Sequence, residues 1–277
     1  MTTNNSAPAA QTNGAANDGA PGNNPAALYR QPTLLDSNLH IGLKIKPHVD
    51  WSFTRDLNAV FVTGIEFPEA SREYAIAFVP GGTGSNGKAL VVPVALLGLR
   101  EHQNLYLKAD GGWEARYMPA FFRRYPFAFS PTSDNRLALV YDATWPGFNN
   151  DEGQDLLTAS GEATPHLKGI TQFLENFEQE AARTRMLCEK LVEYDLLRGA
   201  EINGQLANGE KVTATGFFMV DEERLRKLTD AQVLELHRSG VLALLHAHLL
   251  SMGLVSRLAE RMADRVAAEA AAAAAAA

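Results

Sequence analysis

The sequence predicts an α+β fold, strand-rich before about residue 160 and helical after it. Two observations carry this. Between Ala59 and Tyr141, short apolar runs alternate with Gly, Pro, Asn and Asp at a spacing too close for intervening helices. From Pro165 onward, apolar residues return at three- and four-residue steps instead. Strands followed by helices are the α+β layout, and the close connections predict a largely antiparallel sheet in the N-terminal half.

Taken in order, residues 2–27 carry no large apolar side chain and are rich in Asn, Gly, Ala and Pro. Such a segment cannot bury enough surface to offset its ordering entropy, which predicts a disordered tail over residues 1–27. Residues 28–266 form the expected folded region, long enough for one large domain or two intimate ones, and read here as one α+β domain. Its strands are read in AVFVTGIEF (59–67), YAIAFVP (74–80), ALVVPVALLGL (89–99), NLYLKA (104–109) and LALVYDA (137–143). DGGW, Asp110 to Trp113, is a turn leading into a strand or loop.

From Pro165 to Leu197, Ile170, Phe173, Leu174, Phe177, Ala181, Thr184, Cys188 and Leu191 mark one face of a single long amphipathic helix. INGQLANGEKVTATGFFMV follows as a β-hairpin turning at Asn208-Gly209. Asp221 caps a short helix, and Thr229 or Asp230 caps another. Gly240 then breaks the path before a final helix of about two dozen residues. The Ala-rich end, residues 267–277, is of low complexity and extends that helix by propensity, with nothing to pack against.

The formal net charge is −7 and no block of consecutive basic residues occurs, which argues against a nucleic-acid partner. A single cysteine, Cys188, excludes an intramolecular disulfide framework and a cysteine-based zinc site. The N-terminus has neither the basic start nor the apolar run of a secretory signal. GVLALLHAHLLSMGLV, the longest nearly apolar stretch, is interrupted by two histidines and is short for a membrane span. The expectation is a soluble, cytoplasmic protein without a transmembrane segment.

Several motifs invite a catalytic or metal reading. GTGSNGKA (Gly82–Ala89) fits G-x-x-x-x-G-K, but Ala89 stands where a phosphate-binding loop needs Ser or Thr for magnesium, and a β-like run follows. It reads as a hairpin loop. His48-Val49-Asp50 resembles half of a facial iron triad, with His102 or His166 as third ligand; the alternative is a surface His beside an Asp. His246 and His248 lie about 200° apart on a helix and cannot share one metal; one should pack and the other be solvated. Cys188 falls on the apolar stripe of the long helix and reads as a core residue. With no G-x-S-x-G elbow and no recognisable carboxylate pair, no catalytic residue, metal or cofactor is assigned.

The densest stretch is YMPAFFRRYPFAFSP, Tyr117 to Pro131, with six aromatic residues and two adjacent arginines among three prolines. Adjacent arginines do not readily share a face, so one should pair with an internal acid while the other reaches solvent. One reading is a core corner. Trp113, Tyr117, Phe121, Tyr125 and Phe127 are then mostly buried, and Arg123 or Arg124 meets a carboxylate, with Asp142 and Glu114 as candidates. The other reading is an aromatic-rimmed pocket for an anionic ligand, formed by Trp113, Tyr117, Arg123, Arg124 and Tyr125.

The run of segments also resembles a known family. LHIGLKI (39–45), GIEFPEASREYAIAFVP (64–80), VALLGLREHQNLYL (94–107), GGWEARYMPAFFRRYPFAF (111–129), LALVYDATWPGFNNDEGQDLLTASGEATPHL (137–167) and ANGEKVTATGFFMVDEERLRKLTD (207–230) together resemble the SapC family of bacterial proteins. The likeness spans about residues 32–262, and the run from Trp113 to Phe127 is its most specific part. One departure is Tyr74-Ala75-Ile76, where the family more often has Tyr-Pro-Ile. The family is named after a gene associated with paracrystalline surface layers. The resemblance therefore implies a non-enzymatic, envelope- or surface-layer-related protein acting through contacts with a protein partner. The alternative is an enzyme, or an accessory to one, acting on a small or peptide-like substrate, with iron at His48 and Asp50 in one version.

Overall fold

A computed structural model of the chain describes residues 28–83, 87, 89–132, 136–205 and 211–276. The predicted tail, the Asn208-Gly209 turn and half of GTGSNGKA (84–86 and 88) lie outside these residues. The first half contains β1 (Pro32–Leu34), β2 (Lys44–Ile45), β3 (Ala59–Phe61), α1 (Phe67–Ala70), β4 (Ile76–Thr83) and β5 (Ala89–Leu96). It continues with α2 (Ala120–Arg123), β6 (Phe127–Pro131), β7 (Leu137–Asp142), β8 (Phe148–Asn149) and β9 (Gln154–Asp155). The second half contains α3 (Pro165–Glu193), β10 (Leu197–Gln205), β11 (Lys211–Val220), α4 (Glu222–Arg226), α5 (Asp230–Arg238), α6 (Val241–Ser251) and α7 (Val255–Ala276). This is the α+β arrangement the sequence predicts, with antiparallel sheets mostly in the N-terminal half and helices concentrated after residue 164.

The strands form three sheets, ordered β10-β11-β4-β5-β3, β1-β7-β6 and β8-β2-β9, and every pairing among the described residues is antiparallel. β4 and β5 flank the GTGSNGKA segment as hairpin partners, so a strand follows it and not the helix a phosphate loop needs. β3 ends early. Thr63-Gly-Ile-Glu66 closes a capping box, with Thr63 N–H donating to the Glu66 carboxylate at 2.7 Å, and the chain turns into α1 with Pro68 in its first turn. AVFVTGIEF is therefore only one-third strand. NLYLKA also departs from expectation: it makes one isolated bridge, Leu107 to Trp113, although Leu105, Tyr106 and Leu107 are buried.

α3 is the predicted long helix. Thr164 caps it, and Leu167, Leu174, Phe177, Thr184, Leu187, Cys188 and Leu191 are its buried stripe. Thr184 does more than pack: its hydroxyl accepts the Gly64 N–H at 2.7 Å and anchors the helix to the turn after β3. Asp221 and Thr229 cap α4 and α5 as their side chains suggest. Gly240, at φ 77°, occupies the left-handed region before α6.

The predicted final helix is two helices, because a 3-10 turn at Met252–Leu254 separates α6 from α7. Val241–Ala275 is long and apolar enough to cross a membrane by length and composition, with 28% of its apolar window buried. In this fold Leu245, His248, Ser251, Leu258 and Met262 of that stretch are buried.

Candidate functional site

The seam Trp113–Phe127 wraps around a single helical turn, α2, with Pro119 as its N-cap. Both Phe121 and Phe122 go inward, along with Tyr125 and Phe127, while Trp113 and Tyr117 are only half-buried. These two are less covered than Phe121, Tyr125 and Phe127, but their polar ends point inward to the buried side chains of Tyr74 and Glu66. Trp113 Nε1 donates to the Tyr74 hydroxyl at 2.8 Å, and Tyr74 donates to the Tyr117 carbonyl. The Trp113 ring stacks on Tyr106, whose phenol burial pushes up to about 12.

Tyr117 faces a buried acid. Its hydroxyl donates to Glu66 Oε1 at 2.8 Å, and the Ala120 N–H donates to the same oxygen at 2.7 Å. Glu66 Oε2 accepts from the Thr63 N–H and hydroxyl, so four donors saturate a carboxylate that is 4% exposed. Burial and then the Glu66 charge push the Tyr117 phenol upward. The T-x-x-E spacing is the sequence signal for Glu66; its pairing with residue 117 has none.

The two arginines diverge as adjacent residues on a turn must. Arg124 is folded inward, its guanidinium 4.2 Å from the Phe121 ring centroid and 4.8 Å from that of Phe177. Its carboxylate partner is Glu178 of α3, at 3.5 Å. Neither acid named from the sequence meets it: Glu114 is taken by Arg261 at 3.1 Å, and Asp142 by five donors. Arg124 Nε is buried with no hydrogen-bond partner among the described residues. Arg123 is exposed; its Nε donates to the Met118 carbonyl, and its cation lies over Tyr117 and Phe173, 5.7 and 5.2 Å from their centroids.

Tyr125 turns to the other side of the seam and donates to Asp142 Oδ2 at 3.0 Å. Asp142 is 0% exposed and also accepts the backbone N–H groups of Arg30, Gln31 and Thr144 and the Thr144 hydroxyl. Burial acts to raise its pKa, but the bonds from Arg30, Thr144 and Gln31 together hold it below the usual value. Tyr125 stacks on Phe53 at 4.3 Å, and beyond it His48 stacks on Trp51 at 4.5 Å and on Phe53 at 5.2 Å. His48 Nε2 is buried without a hydrogen-bond partner among the described residues, and burial pulls its pKa down to about 4.

Asp50 is engaged separately, its Oδ1 accepting the Ser52 N–H at 2.8 Å, while His102 and His166 are exposed. Among the described residues no group of three or more His, Cys, Asp or Glu side chains is placed to hold a metal. The five residues singled out in the sequence thus fall into three environments behind one continuous seam: Trp113 on Tyr74, Tyr117 and the two arginines between Glu66 and α3, Tyr125 on Asp142. An open depression of about 420 Å³ lies elsewhere, lined by Arg198, Met219, Val220, Asp221, Glu222, Glu223 and Arg226.

The family model described as SapC matches residues 35–258 of the chain, which includes the whole seam. No curated protein and no solved structure matches.

Proposed function

The chain belongs to the SapC family, and from that premise we propose that it works through protein contacts, without catalysis, as an envelope- or surface-layer-related protein. The observation that carries this reading is how the seam occupies its acids. Glu66 and Asp142 are each saturated by donors of their own chain, so neither offers a lone pair to a substrate or a proton to move. The phenols of Tyr117 and Tyr125 are pushed upward, first by burial and then by Glu66 and Asp142 respectively, which disfavours both as bases near neutral pH.

Beside the exposed Glu114 and Arg116, the seam presents Arg123 outward, set over the rings of Tyr117 and Phe173. An arginine on an aromatic bed suits a partner's carboxylate at the edge of a protein interface. Arg124 backs that surface from the α3 side, on Phe177 and Glu178, while Trp113 and Tyr125 hold the seam from their separate environments. The location we infer is cytoplasmic, with the envelope as the site of association, and no nucleic acid, membrane span or cofactor takes part. Fractionation with crosslinking tests this in wild type and Arg123→Glu. The expected result is an envelope-associated fraction and a co-purifying protein, both lost in Arg123→Glu while its melting curve is unchanged. Recovery of the wild type only as a free soluble monomer overturns the reading.

A further inference from the structure

β11 joins β4 through one direct pair, Phe218 with Phe78. Continued by two residues, that register would set Val220 opposite Ile76. There α6 intervenes. The Val220 N–H donates to His248 Nε2 at 3.0 Å, and His248 Nδ1 stands 2.8 Å from the Ile76 carbonyl. The Ile76 N–H donates to the Ser251 hydroxyl at 3.0 Å, which in turn donates to the His248 carbonyl at 2.6 Å. Two helix side chains thus replace a rung of the sheet.

The arrangement dictates the protonation of the ring. A backbone N–H can only donate, so Nε2 must be bare; Nδ1 then carries the proton and donates to Ile76. A charged imidazole has N–H on both nitrogens and would set one against the Val220 N–H. The ring is 0% exposed and lies 5.0 Å from Phe78, so no water takes up the lost bond without opening the joint.

We propose that His248 is an acid-sensitive latch: its protonation parts β11 from β4 and frees the β10–β11 hairpin, while the β3-β5-β4 portion of the sheet stays paired. The ionisable groups with described side chains on the elements packed against α6 are Glu69 on α1 and Asp230, Glu235, His237 and Arg238 on α5; Asp221 lies just past β11, His246 is on α6 itself, and β4 carries none. None of them is among the influences on His248. Burial lowers its pKa from 6.5 to about 4, and the Ile76 bond opposes this only in part.

The test is amide exchange of the full chain from pH 7.5 to pH 4.5, corrected for the intrinsic pH dependence of exchange. Protection of residues 214–220 is compared with that of β5. Uptake of one proton by the opened state makes opening about tenfold easier per pH unit below 6.5. The expected result is therefore a selective loss in β11 with β5 unchanged, retained in His246→Gln and His48→Gln and absent in His248→Gln. Should His248→Gln not fold, nitrogen-15 shifts of the wild-type ring decide: a bare Nε2 at pH 7.5 supports the latch. Parallel loss in β11 and β5, unchanged protection of β11 down to pH 4.5, or a protonated Nε2 overturns it.

Discussion

Tyr117 and Glu66, 51 residues apart in the chain, meet through a 2.8 Å hydrogen bond from phenol to buried carboxylate. With four donors turned on it, Glu66 tolerates no donor of its own. Glu66→Gln sets an amide NH2 against at least one of them. The expected loss is about 2–4 kcal/mol, or roughly 5–15 °C in Tm. Tyr117→Phe, which leaves Ala120 on the same oxygen, should lose only about 1–2 kcal/mol. Thermal unfolding of both variants checks the ranking.

Arg124 and Arg123 should separate cleanly in urea unfolding. Arg124→Ala removes a cation stacked on Phe121 and Phe177 and paired with Glu178, at a cost of roughly 1–3 kcal/mol. Arg123→Ala trims an exposed side chain and should change stability by less than about 1 kcal/mol. The reverse order would mean that the outer arginine, not the inner one, holds the seam together.

Acid should weaken the fold in two steps. Burial lowers the pKa values of both His48 and His248 from 6.5 to about 4 in the folded protein. The unfolded chain then binds more protons between those values, so stability is full above pH 6.5 and declines as pH falls toward 4. Asp142, held below its ordinary 3.8, adds a further loss under that pH. Urea midpoints measured from pH 7.5 to 4.5 should fall in the wild type and flatten in the double variant His48→Gln/His248→Gln.

Gly147 sits under a ring. A Cβ there would lie 1.9 Å from Trp145, which packs edge-on against His48 at 4.9 Å. Gly147→Ala should expel the indole, shift tryptophan emission to the red and destabilise by on the order of 1–3 kcal/mol. An unshifted emission spectrum would contradict the packing of Trp145 against this glycine.

Much of this architecture is legible in the order of the residues. The change of hydrophobic period marks the α+β division, and the α3 stripe from Leu167 to Leu191 follows directly from helical spacing. Buried Cys188 and the split fates of exposed His246 and buried His248 also follow from that geometry. The departures have two causes, local side-chain bonds that override a pattern and contacts between distant segments. AVFVTGIEF looks like one strand because its apolar residues are contiguous, yet the Thr63–Glu66 capping box stops it locally. Glu178 is not legible as the partner of Arg124, because nothing in one sequence says which turn of α3 crosses the seam. Asp142 suits an arginine by charge alone, but Asp-Ala-Thr makes an Asx turn that occupies one oxygen before any arginine can reach it.

The end of α7 has a practical meaning. Among the described side chains Val266 is the last that is partly covered, and Ala267–Ala275 continue as exposed helix, about 14 Å at 1.5 Å per residue. Alanine rows of that length are marginal alone, but here the packed turns from Leu258 to Met262 have already nucleated the helix. A fluorophore or tag placed on this segment therefore rides a lever and not a string: it reports the rotation of the whole body, and its anisotropy should follow overall tumbling.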